Sequence, residues 1–417
     1  MSSVIIQGKV PLSGEVHIHG SKNAALPIIA ATVLNHGTTA LKNCPKILDV
    51  LNMIQVLEEM GCRVNWDNTT LVIDARDVTK HEVLEEAAKK TRGSFLFLGA
   101  MLGRHQIAKI AYPGGCSIGA RKVDIHLRSM EEMGVVFFED TSLLYADGTG
   151  IHGTILNLVF PSVGATENIL LAACLAPGRT EIINAALEPE VIALCEFLNQ
   201  AGAKIQGIRT SHLIIDGVSE LHDCEFTIPP DRIVAGTYLA AVAACGGDAV
   251  IDGVVKEDLT EVIRILRFMG CDIDINGQRA RIQRRGNLIA PKQIVTKPFP
   301  GFPTDMQSQF MVVLSQAFGD SVLVEEIFEE RFLISEELIR LGAKISVEGK
   351  SARIQGKRRF LGNTVRAKDL RGGAALIIAG LVAEGSTIVE DLDYVKRGYV
   401  DIVNDLRQLN ADIRWLQ

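Results

Sequence analysis

The sequence lacks the features that mark a secreted, disulfide-bonded protein or a membrane protein. Its eight cysteines include no CxxC pair, and most of them lie in apolar helical patterns, so we expect a reduced protein of the cytoplasm. The N-terminal residues contain no basic stretch followed by an apolar run, so we expect no signal peptide. The longest apolar runs, Ile169–Pro177 and Leu376–Ala383, are too short to cross a bilayer.

An excess of basic residues is also missing. The chain has 43 Lys and Arg residues against 50 Asp and Glu residues, a net charge of −7. Surfaces that bind nucleic acids or anionic membranes generally need a basic excess, so we expect neither as a partner. The nine histidines are scattered. His17 and His19 share one face of a predicted strand but have no third ligand nearby, so we expect no metal and no other cofactor.

What the sequence does contain is an internal repeat. A short segment that reads as a helix end, a turn and a strand occurs six times, from Glu58–Val64 to Arg407–Ile413. Glycine after a helix readily adopts the left-handed conformation that ends it, and asparagine is the usual second choice. The turn residues, spaced 68 to 73 residues apart, are Gly61, Gly134, Gly202, Gly270, Gly342 and Asn410. The pattern predicts six copies of one unit.

Each copy contains two helices of different character. In the copy that contains Gly202, the pattern reads helix, strand, helix, strand, strand, which predicts layered α/β packing with right-handed crossovers. The second helix is amphipathic, as in LTEVIRILRFMG, where Val262, Ile265 and Leu266 form one apolar stripe. The first helix is apolar almost all round and rich in small residues, as in GGAALIIAGLVA, and such a helix is buried. We therefore predict a two-domain, inside-out α/β barrel fold with three repeats around three buried helices in each domain.

The predicted boundary between the domains lies at Pro229-Pro230, because paired prolines commonly mark connections. One domain comprises residues 21–229. The other comprises residues 1–20 and 230–417, because the N-terminal strand Ser2–Val10 has no partner in the first repeat and suits the strand that ends at Gln417. Nothing in the sequence predicts an oligomeric state.

The buried helices begin with charged or polar residues in spite of their apolar bodies. Exposed N–H groups at helix N-termini suit anions, whereas a cation there is unfavourable by roughly 0.3–1 kcal/mol. Repeated cations at such positions favour a polyanionic ligand over solvated side chains, and arginine suits bidentate binding of carboxylates and phosphates. The cations are Lys22, Arg92, Arg232 and Arg371 at helix starts and Arg121, Arg331 and Arg397 in polar turns. The acids Asp231, Asp305 and Asp369 are alternatively helix N-caps, which is the interpretation that we favour for Asp231.

The segment Pro113–Leu127 combines a cysteine with three glycines. Glycines allow a loop to approach a ligand closely. Cys116 lies among polar and glycine residues rather than in an apolar stripe, and nearby cations would stabilise its thiolate. A small buried hydrophobe is the usual role of a cysteine, but this setting favours a functional thiol.

Several motifs follow one another along essentially the whole chain. They are SKNAALP (Ser21–Pro27), PGGCSIGARKVDIH (Pro113–His126), SVGATENI (Ser162–Ile169), FPTDMQSQF (Phe302–Phe310), EERF (Glu329–Phe332), DLRGGAAL (Asp369–Leu376) and RGY (Arg397–Tyr399). Together they resemble the UDP-N-acetylglucosamine 1-carboxyvinyltransferase family. The resemblance implies a pair of inside-out α/β barrels made of six βαβαββ units. It also implies transfer of the enolpyruvyl group of phosphoenolpyruvate to the 3-hydroxyl of UDP-N-acetylglucosamine with release of phosphate, at the start of bacterial peptidoglycan synthesis.

The resemblance further implies roles for individual residues. Cys116 resembles the loop cysteine that protonates C3 of phosphoenolpyruvate or adds to it, and that fosfomycin alkylates. Asp305 resembles the carboxylate that takes the proton of the sugar hydroxyl, and Asp369 resembles an acid that assists proton removal at C3. The implied ligands of the phosphate and pyruvyl groups are Lys22, Arg121 and Arg397, with Arg331 and Arg371 as a carboxylate clamp and Asn23 and Arg92 lining the same site. The implied contacts of the UDP-sugar are Arg121, Val123, Asp124, Ile125, Ser162, Val163, Gly164 and Ile327.

Two alternative functions remain open at this point. The sister enzyme 5-enolpyruvylshikimate-3-phosphate synthase would share the fold and the phosphoenolpyruvate clamp but would not need a cysteine in this loop. A non-catalytic repeat scaffold would show a fixed period too. A scaffold, however, has no reason to place cations at helix starts or to keep a glycine-rich cysteine loop.

Overall fold

The chain divides into two compact units, each with a hydrophobic core of its own. The structure is a computed structural model that describes residues 2–113, 123–140 and 143–416. The central unit consists of the described residues from Gly20 to Pro229, and the terminal unit consists of those up to His19 and from Pro230 onward. Each unit is built from three repeats of helices and a sheet, and the predicted inside-out α/β fold with six repeats is confirmed.

Each repeat contains one buried helix and one partly exposed helix, and the repeat in which α3 lies has this short helix in addition. In chain order they are α1 (Lys22–Ala31), α2 (Leu48–Met60), α3 (Glu85–Lys90), α4 (Phe97–His105), α5 (Asp124–Glu132), α6 (Val163–Ala173), α7 (Pro189–Gln200), α8 (Arg232–Cys245), α9 (Thr260–Phe268), α10 (Gln307–Gln316), α11 (Ser335–Arg340), α12 (Leu370–Val382) and α13 (Ile402–Gln408). Short 3-10 turns span Thr32–Leu34, Arg92–Leu96, Lys256–Leu259, Thr304–Met306 and Leu392–Arg397. The six apolar helices predicted to be buried, α1, α4, α6, α8, α10 and α12, all lie in the cores.

Each unit places three buried helices at its centre. In the terminal unit α8, α10 and α12 pack against one another pairwise, and in the central unit α4 packs against both α1 and α6. Small residues permit this close packing. A Cβ atom added at Gly99 of α4 would lie only 2.2 Å from the backbone oxygen of Asn168 in α6, so a larger residue at 99 would force the two helices apart.

The turn that closes the second helix of each repeat follows the prediction. Glycine lacks a Cβ and asparagine tolerates the left-handed region, where other residues are strained. The backbone φ angles are 109° at Gly61, 92° at Gly134, 105° at Gly202, 106° at Gly270, 108° at Gly342 and 64° at Asn410. All six lie in the left-handed region, so the predicted role of these residues is confirmed.

Six four-stranded sheets surround the buried helices. The strands are β1 (Ser3–Gln7), β2 (Leu12–His17), β3 (Thr38–Lys42), β4 (Arg63–Asp67), β5 (Thr70–Asp74), β6 (Glu82–Val83), β7 (Ile107–Ala111), β8 (Val136–Asp140), β9 (Leu143–Asp147), β10 (Ile155–Asn157), β11 (Arg179–Ile183), β12 (Lys204–Gln206), β13 (His212–Asp216), β14 (Cys224–Thr227), β15 (Gly247–Asp252), β16 (Asp272–Asn276), β17 (Arg279–Arg284), β18 (Gln293–Val295), β19 (Asp320–Val324), β20 (Lys344–Glu348), β21 (Ser351–Gln355), β22 (Thr364–Arg366), β23 (Ser386–Glu390) and β24 (Asp412–Leu416). The sheet orders in the central unit are β14-β3-β5-β4, β6-β7-β9-β8 and β10-β11-β13-β12, and those in the terminal unit are β16-β17-β15-β2, β18-β19-β21-β20 and β22-β23-β1-β24.

The residue pattern predicted three strands in each repeat, and the fourth strand of each sheet is a correction. Strands β6, β10, β18 and β22 are only two or three residues long, too short to show the alternation that identifies a strand. In the two remaining sheets the fourth strand comes from a distant part of the sequence. Strand β14 pairs in parallel with β3, and β2 pairs in parallel with β15. These fourth strands agree with the βαβαββ unit that the resemblance implied.

The N-terminal strand completes the last sheet of the terminal unit. Strand β1 runs antiparallel to both β23 and β24, with Val4 opposite Val389 and Ser3 opposite Leu416. The predicted pairing of the N-terminal strand with the C-terminal one is therefore confirmed, over the shorter span of β1.

Candidate active site

In the terminal unit Asp305 is held by two arginines. Its Oδ1 accepts a hydrogen bond from Nη2 of Arg331 at 2.6 Å, and its Oδ2 accepts from Nη2 and Nε of Arg371 at 2.8 and 3.1 Å. Both arginine side chains are 4% exposed, whereas that of Asp305 is 24% exposed. The two buried cations thus share one carboxylate as their counter-charge, and this carboxylate remains accessible.

Three separate elements bring these groups together. Asp305 lies in the 3-10 turn that precedes α10, Arg331 lies in the turn after β19, and Arg371 is the second residue of α12. Burial lowers the pKa of Arg371, but the charges of Asp305, Tyr399 and Asp231 together raise it above its ordinary value. The guanidinium of Arg371 therefore stays charged.

Glu325, which the sequence analysis missed, organises the loop around Ile327. Its Oε1 accepts hydrogen bonds from Oγ1 of Thr296 at 2.8 Å and from the backbone N–H of Ile327 at 2.9 Å. Its Oε2 accepts from Oγ1 of Thr304, the residue before Asp305, at 2.9 Å. Glu325 is buried and so ties the position of Ile327 to that of Asp305. It lies in the acid-rich segment EEIFEERF, where no sequence signal separates it from its neighbours.

Two of the three acids at helix starts are N-caps. Oδ1 of Asp231 accepts from the N–H groups of Ile233 and Val234 at 2.8 and 3.0 Å, which confirms the cap interpretation for Asp231. Oδ1 of Asp369 accepts from the N–H groups of Arg371 and Gly372, both at 2.9 Å. Asp369 therefore fixes the start of the helix that carries Arg371, and its second oxygen is not needed for the cap.

The remaining predicted cations of the terminal unit lie at element ends. Arg397 is the half-buried last residue of the 3-10 segment that follows β23. Arg232 is the first residue of α8, and its guanidinium carbon lies 5.8 Å from the ring centroid of Phe299. A cation–π contact of this kind gives Arg232 a partner within the protein.

In the central unit Lys22 is paired with Asp49. The Lys22 ammonium lies 2.7 Å from Oδ2 of Asp49, and their side chains are 13% and 2% exposed. Ser21 caps α1, which places Lys22 at the first helical position, and Asp49 lies in the first turn of α2, where a helix dipole favours an acid. The unfavourable placement of Lys22 is thus offset by a carboxylate that the sequence analysis missed, because the two residues belong to different helices.

Asn23 is similarly connected to an acid of another helix. Its Nδ2 lies 3.4 Å from Oε1 of Glu190, in the first turn of α7. Glu167 lies close to Glu190 and Glu188, and burial, followed by the charges of these two acids, raises the pKa of Glu167 well above its usual range. The start of α1 therefore lies beside a group of carboxylic acids that no motif had indicated.

A second group of predicted residues surrounds His126 in the central unit. Val123, Asp124 and Ile125 form the start of α5, Ser162 caps α6 ahead of Val163 and Gly164, and Arg92 opens the 3-10 turn before α4. Burial, followed by the nearby charge of Arg92, lowers the pKa of His126 to about 4 against an opposing effect of Asp124. The neutral imidazole of His126 thus lies close to Arg92 and to Asp124 at the start of α5. Gly164, at the start of α6, is a further neighbour of this ring.

A hydrogen-bond chain fixes the tautomer of His126. Oδ1 of Asn168 accepts from the N–H of Gly99 at 2.8 Å, which leaves its Nδ2 to donate to Nδ1 of His126 at 3.0 Å. The ring proton of the neutral imidazole therefore lies on Nε2. His126 is part of the PGGC motif segment, but the sequence alone did not single it out.

Cys116 and Arg121 lie outside the described residues. The seven described cysteines are Cys44, Cys62, Cys174, Cys195, Cys224, Cys245 and Cys271, and all are free thiols. Burial raises the pKa of each, for example to about 12 in Cys44 and to about 11 in Cys271. They are small buried or half-buried groups with little thiolate at neutral pH.

Among the residues that the structure describes, no group of three or more His, Cys, Asp or Glu side chains is arranged to hold a metal ion. In the same residues, no helix is both long and apolar enough to span a bilayer.

Comparison with known proteins identifies relatives along the whole chain. Residues 6–406 match the family described as EPSP synthase (3-phosphoshikimate 1-carboxyvinyltransferase). The chain is 46% identical to UDP-N-acetylglucosamine 1-carboxyvinyltransferase 2 of Caldanaerobacter subterraneus subsp. tengcongensis, with 99% of each chain covered. It is 42% identical to UDP-N-acetylglucosamine 1-carboxyvinyltransferase 2 of Staphylococcus saprophyticus, with both chains covered fully.

Solved structures with much lower identity share the fold. The enolpyruvyl transferase NikO from Streptomyces tendae superposes with a TM-score of 0.90 at 23% identity, over 99% of each chain. EPSP synthase from Acinetobacter baumannii superposes with a TM-score of 0.75 at 18% identity, over the full length of both chains. The full-length relatives above 40% identity and the family match show that the chain belongs to the UDP-N-acetylglucosamine 1-carboxyvinyltransferases, within the broader EPSP synthase family.

Proposed function

We propose that this chain transfers the enolpyruvyl group of phosphoenolpyruvate to the 3-hydroxyl of UDP-N-acetylglucosamine and releases phosphate. The observation that carries the proposal is the full-length identity of 46% to a relative that bears this activity in its name. The paired Asp305, Arg331 and Arg371 support it, because the reaction needs a carboxylate base near cations that bind an anionic donor. We also propose that the reaction takes place in the cytoplasm.

The first step joins the two substrates. Asp305 accepts the proton of the sugar 3-hydroxyl while the hydroxyl oxygen forms a bond to C2 of phosphoenolpyruvate. C3 of phosphoenolpyruvate gains a proton from an acid, for which the resemblance implies the thiol of Cys116. The resulting tetrahedral adduct carries both a phosphate and a carboxylate, so cations on several sides stabilise it.

The second step releases phosphate. The C2–O bond to phosphate breaks, C3 loses one proton, and the enol ether remains on the sugar. Asp369 assists this proton loss in the proposed scheme, and its free Oδ2 is compatible with that role because Oδ1 alone makes the cap. Lys22, Arg121 and Arg397 bind the phosphate and pyruvyl groups, and Asn23 and Arg92 line the same site. Arg331 and Arg371 bind the donor's carboxylate.

The UDP-sugar is assigned to three other segments. In the proposal the UDP-sugar is bound by Val123, Asp124 and Ile125 at the start of α5 and by Ser162, Val163 and Gly164 at the start of α6. Arg121 and Ile327 complete the proposed set. The helix N-terminus at Ser162 supports this assignment, because its N–H groups suit the diphosphate.

Phosphate release tests the proposal directly. The protein is mixed with phosphoenolpyruvate and UDP-N-acetylglucosamine, and in a parallel reaction with phosphoenolpyruvate and shikimate 3-phosphate. We expect release with the sugar nucleotide alone. Release only with shikimate 3-phosphate would favour the 3-phosphoshikimate 1-carboxyvinyltransferase activity after which the broader family is named. Release with neither acceptor would refute both activities.

A further inference from the structure

The two arginines assigned to the donor's carboxylate already hold a carboxylate of the protein. Nε and Nη2 of Arg371 both donate to Oδ2 of Asp305, and Nη2 of Arg331 donates to Oδ1. These side-by-side donors are the ones that an arginine uses to bind a carboxylate of any origin. Asp305 therefore occupies the donors that the carboxylate of phosphoenolpyruvate would need.

Burial explains why these arginines need a carboxylate before the donor arrives. Each guanidinium is 4% exposed, and a buried cation without a counter-charge costs several kcal/mol. Asp305 supplies this charge from a more accessible position, at 24% exposure. The carboxylate of a ligand could take its place and leave the charge balance around the two cations unchanged.

Each of the two arginines also has a buried nitrogen that donates no hydrogen bond to a described residue. Nη1 of Arg371 and Nε of Arg331 are buried and have no acceptor among the residues that the structure describes. Buried donors of this kind normally find a partner. An incoming carboxylate can supply one, and this favours its binding over simple retention of the Asp305 contacts.

We propose that the carboxylate of the donor displaces that of Asp305 from Arg331 and Arg371, so that donor binding releases the base. This inference rests on the proposed function. A carboxylate held between two guanidinium groups is a weak base, because both cations stabilise its charged form. After the exchange Asp305 regains basicity and can accept the proton of the sugar hydroxyl. The base is then available only when the donor is bound.

Binding of two unreactive donor analogues tests the exchange. 2-Phospholactate carries a phosphate and a carboxylate but has no double bond to protonate, and isopropyl phosphate has a methyl group in place of that carboxylate. Calorimetry gives their dissociation constants for the unmodified protein and for Asp305→Asn, which keeps the shape of the side chain and removes its charge. Because the protein's competing carboxylate is lost, we expect the preference for 2-phospholactate over isopropyl phosphate to rise about tenfold in Asp305→Asn.

Asp231→Asn is the matched control. Asp231 also acts electrostatically on Arg371, and its Oδ1 accepts from the N–H groups of the α8 cap, which asparagine preserves. We expect the preference to change less than about twofold in this variant. An equal rise in both variants would mean a general charge effect, and an unchanged preference in Asp305→Asn would mean no competition; either result overturns the exchange.

A crystal structure of the unmodified protein with 2-phospholactate gives a second measurement that does not depend on a variant. The exchange predicts the ligand carboxylate at about 2.8 Å from Arg331 and Arg371 and Asp305 beyond hydrogen-bonding distance of both. Retention of both Asp305 contacts would refute it. Phosphate release by the unmodified protein tests the proposed function separately. If the unmodified protein turns over but Asp305→Asn shows an unchanged preference for 2-phospholactate, only the exchange is refuted. If Asp305→Asn shows a raised preference but the unmodified protein does not turn over, only the proposed function is refuted.

Discussion

The ammonium of Lys22 lies 2.7 Å from the carboxylate of Asp49, and this acid is almost completely buried. The contact joins the first residue of α1 to the first turn of α2. Asp49 thus holds in place the lysine that the proposed function assigns to the phosphate of the donor. A lysine ammonium is a point charge on a long flexible stem, so its position depends on such a partner.

Replacing Asp49 should impair binding of phosphoenolpyruvate selectively. Asp49→Asn keeps the size of the side chain but removes its charge, so Lys22 loses its anchor. We expect the KM for phosphoenolpyruvate to rise about tenfold and that for UDP-N-acetylglucosamine to change less than about twofold, as measured by steady-state phosphate release. Glu58→Gln, an exposed residue of the same helix, is the control for the lost charge. Equal changes in both KM values would contradict a role through Lys22.

Two substitutions of Asp369 separate its structural role from its chemical one. Asp369→Ala removes the acceptor of the two N–H groups at the start of α12 and should lower the free energy of unfolding by about 1 kcal/mol. Asp369→Asn retains an acceptor and should leave stability nearly unchanged. If Asp369 assists proton removal, Asp369→Asn still lowers kcat by about tenfold or more; full turnover in this variant would leave Asp369 as a cap only.

His126 should make the folded state sensitive to acid. Its pKa is lowered from 6.5 to about 4 by burial and by Arg92, so between these values the unfolded chain binds a proton that the folded chain does not. Stability therefore falls as the pH falls through this window, by up to about 1.4 kcal/mol per pH unit. We expect urea unfolding of His126→Asn at pH 7 and pH 5 to show a smaller loss than the unmodified protein. The exposed His152 provides a control substitution, His152→Asn, for which the loss should be unchanged.

Thiol labelling should distinguish Cys116 from the other cysteines. The seven described thiols have raised pKa values because of burial, and the thiolate is the reactive form. We expect Cys116→Ser to turn over more slowly, to be no longer inactivated by fosfomycin, and to lose rapid alkylation by iodoacetamide at pH 7. Mass spectrometry of the folded and the urea-unfolded variant supplies the measurement and its control. Rapid alkylation of any described cysteine in the folded variant would contradict this expectation.

Asn410 offers a simple test of the repeated turn. Its φ of 64° is strained for most side chains by roughly 1–2 kcal/mol but not for glycine. Asn410→Ala should therefore lower the free energy of unfolding by about 1 kcal/mol, whereas Asn410→Gly should leave it nearly unchanged. Thermal unfolding of both variants measures these changes. Equal losses of unfolding free energy in Asn410→Ala and Asn410→Gly would show that the asparagine side chain, rather than the backbone conformation, is important.

The sequence predicted the features that repeat. Gly61 and its five counterparts were identified because a left-handed residue must follow each second helix, and the buried helices were identified because they lack a polar face. Strand β6, with two residues, left no periodic signal. The pairing of β14 with β3 joins segments that only the folded chain brings together.

The candidate site was predictable in its residue types but not in its contacts. The sequence indicated Lys22, Asp305 and Arg371 as candidates, yet gave no sign that Asp49 binds Lys22 or that Asp305 binds Arg371. Such pairs join residues of separate helices, and single-sequence patterns contain only local information. Glu325 and His126 were missed for a related reason, since burial rather than motif makes them important.

The position of β1 between β23 and β24 has a consequence for biosynthesis. The last sheet of the terminal unit combines β1 with β23 and β24, so it cannot form completely until Leu416 has been synthesised. The central unit contains nothing beyond Pro229 and can therefore complete its core while translation continues. A nascent chain interrupted before Asp412 would keep one edge of β1 unpaired, and an unpaired apolar edge invites aggregation.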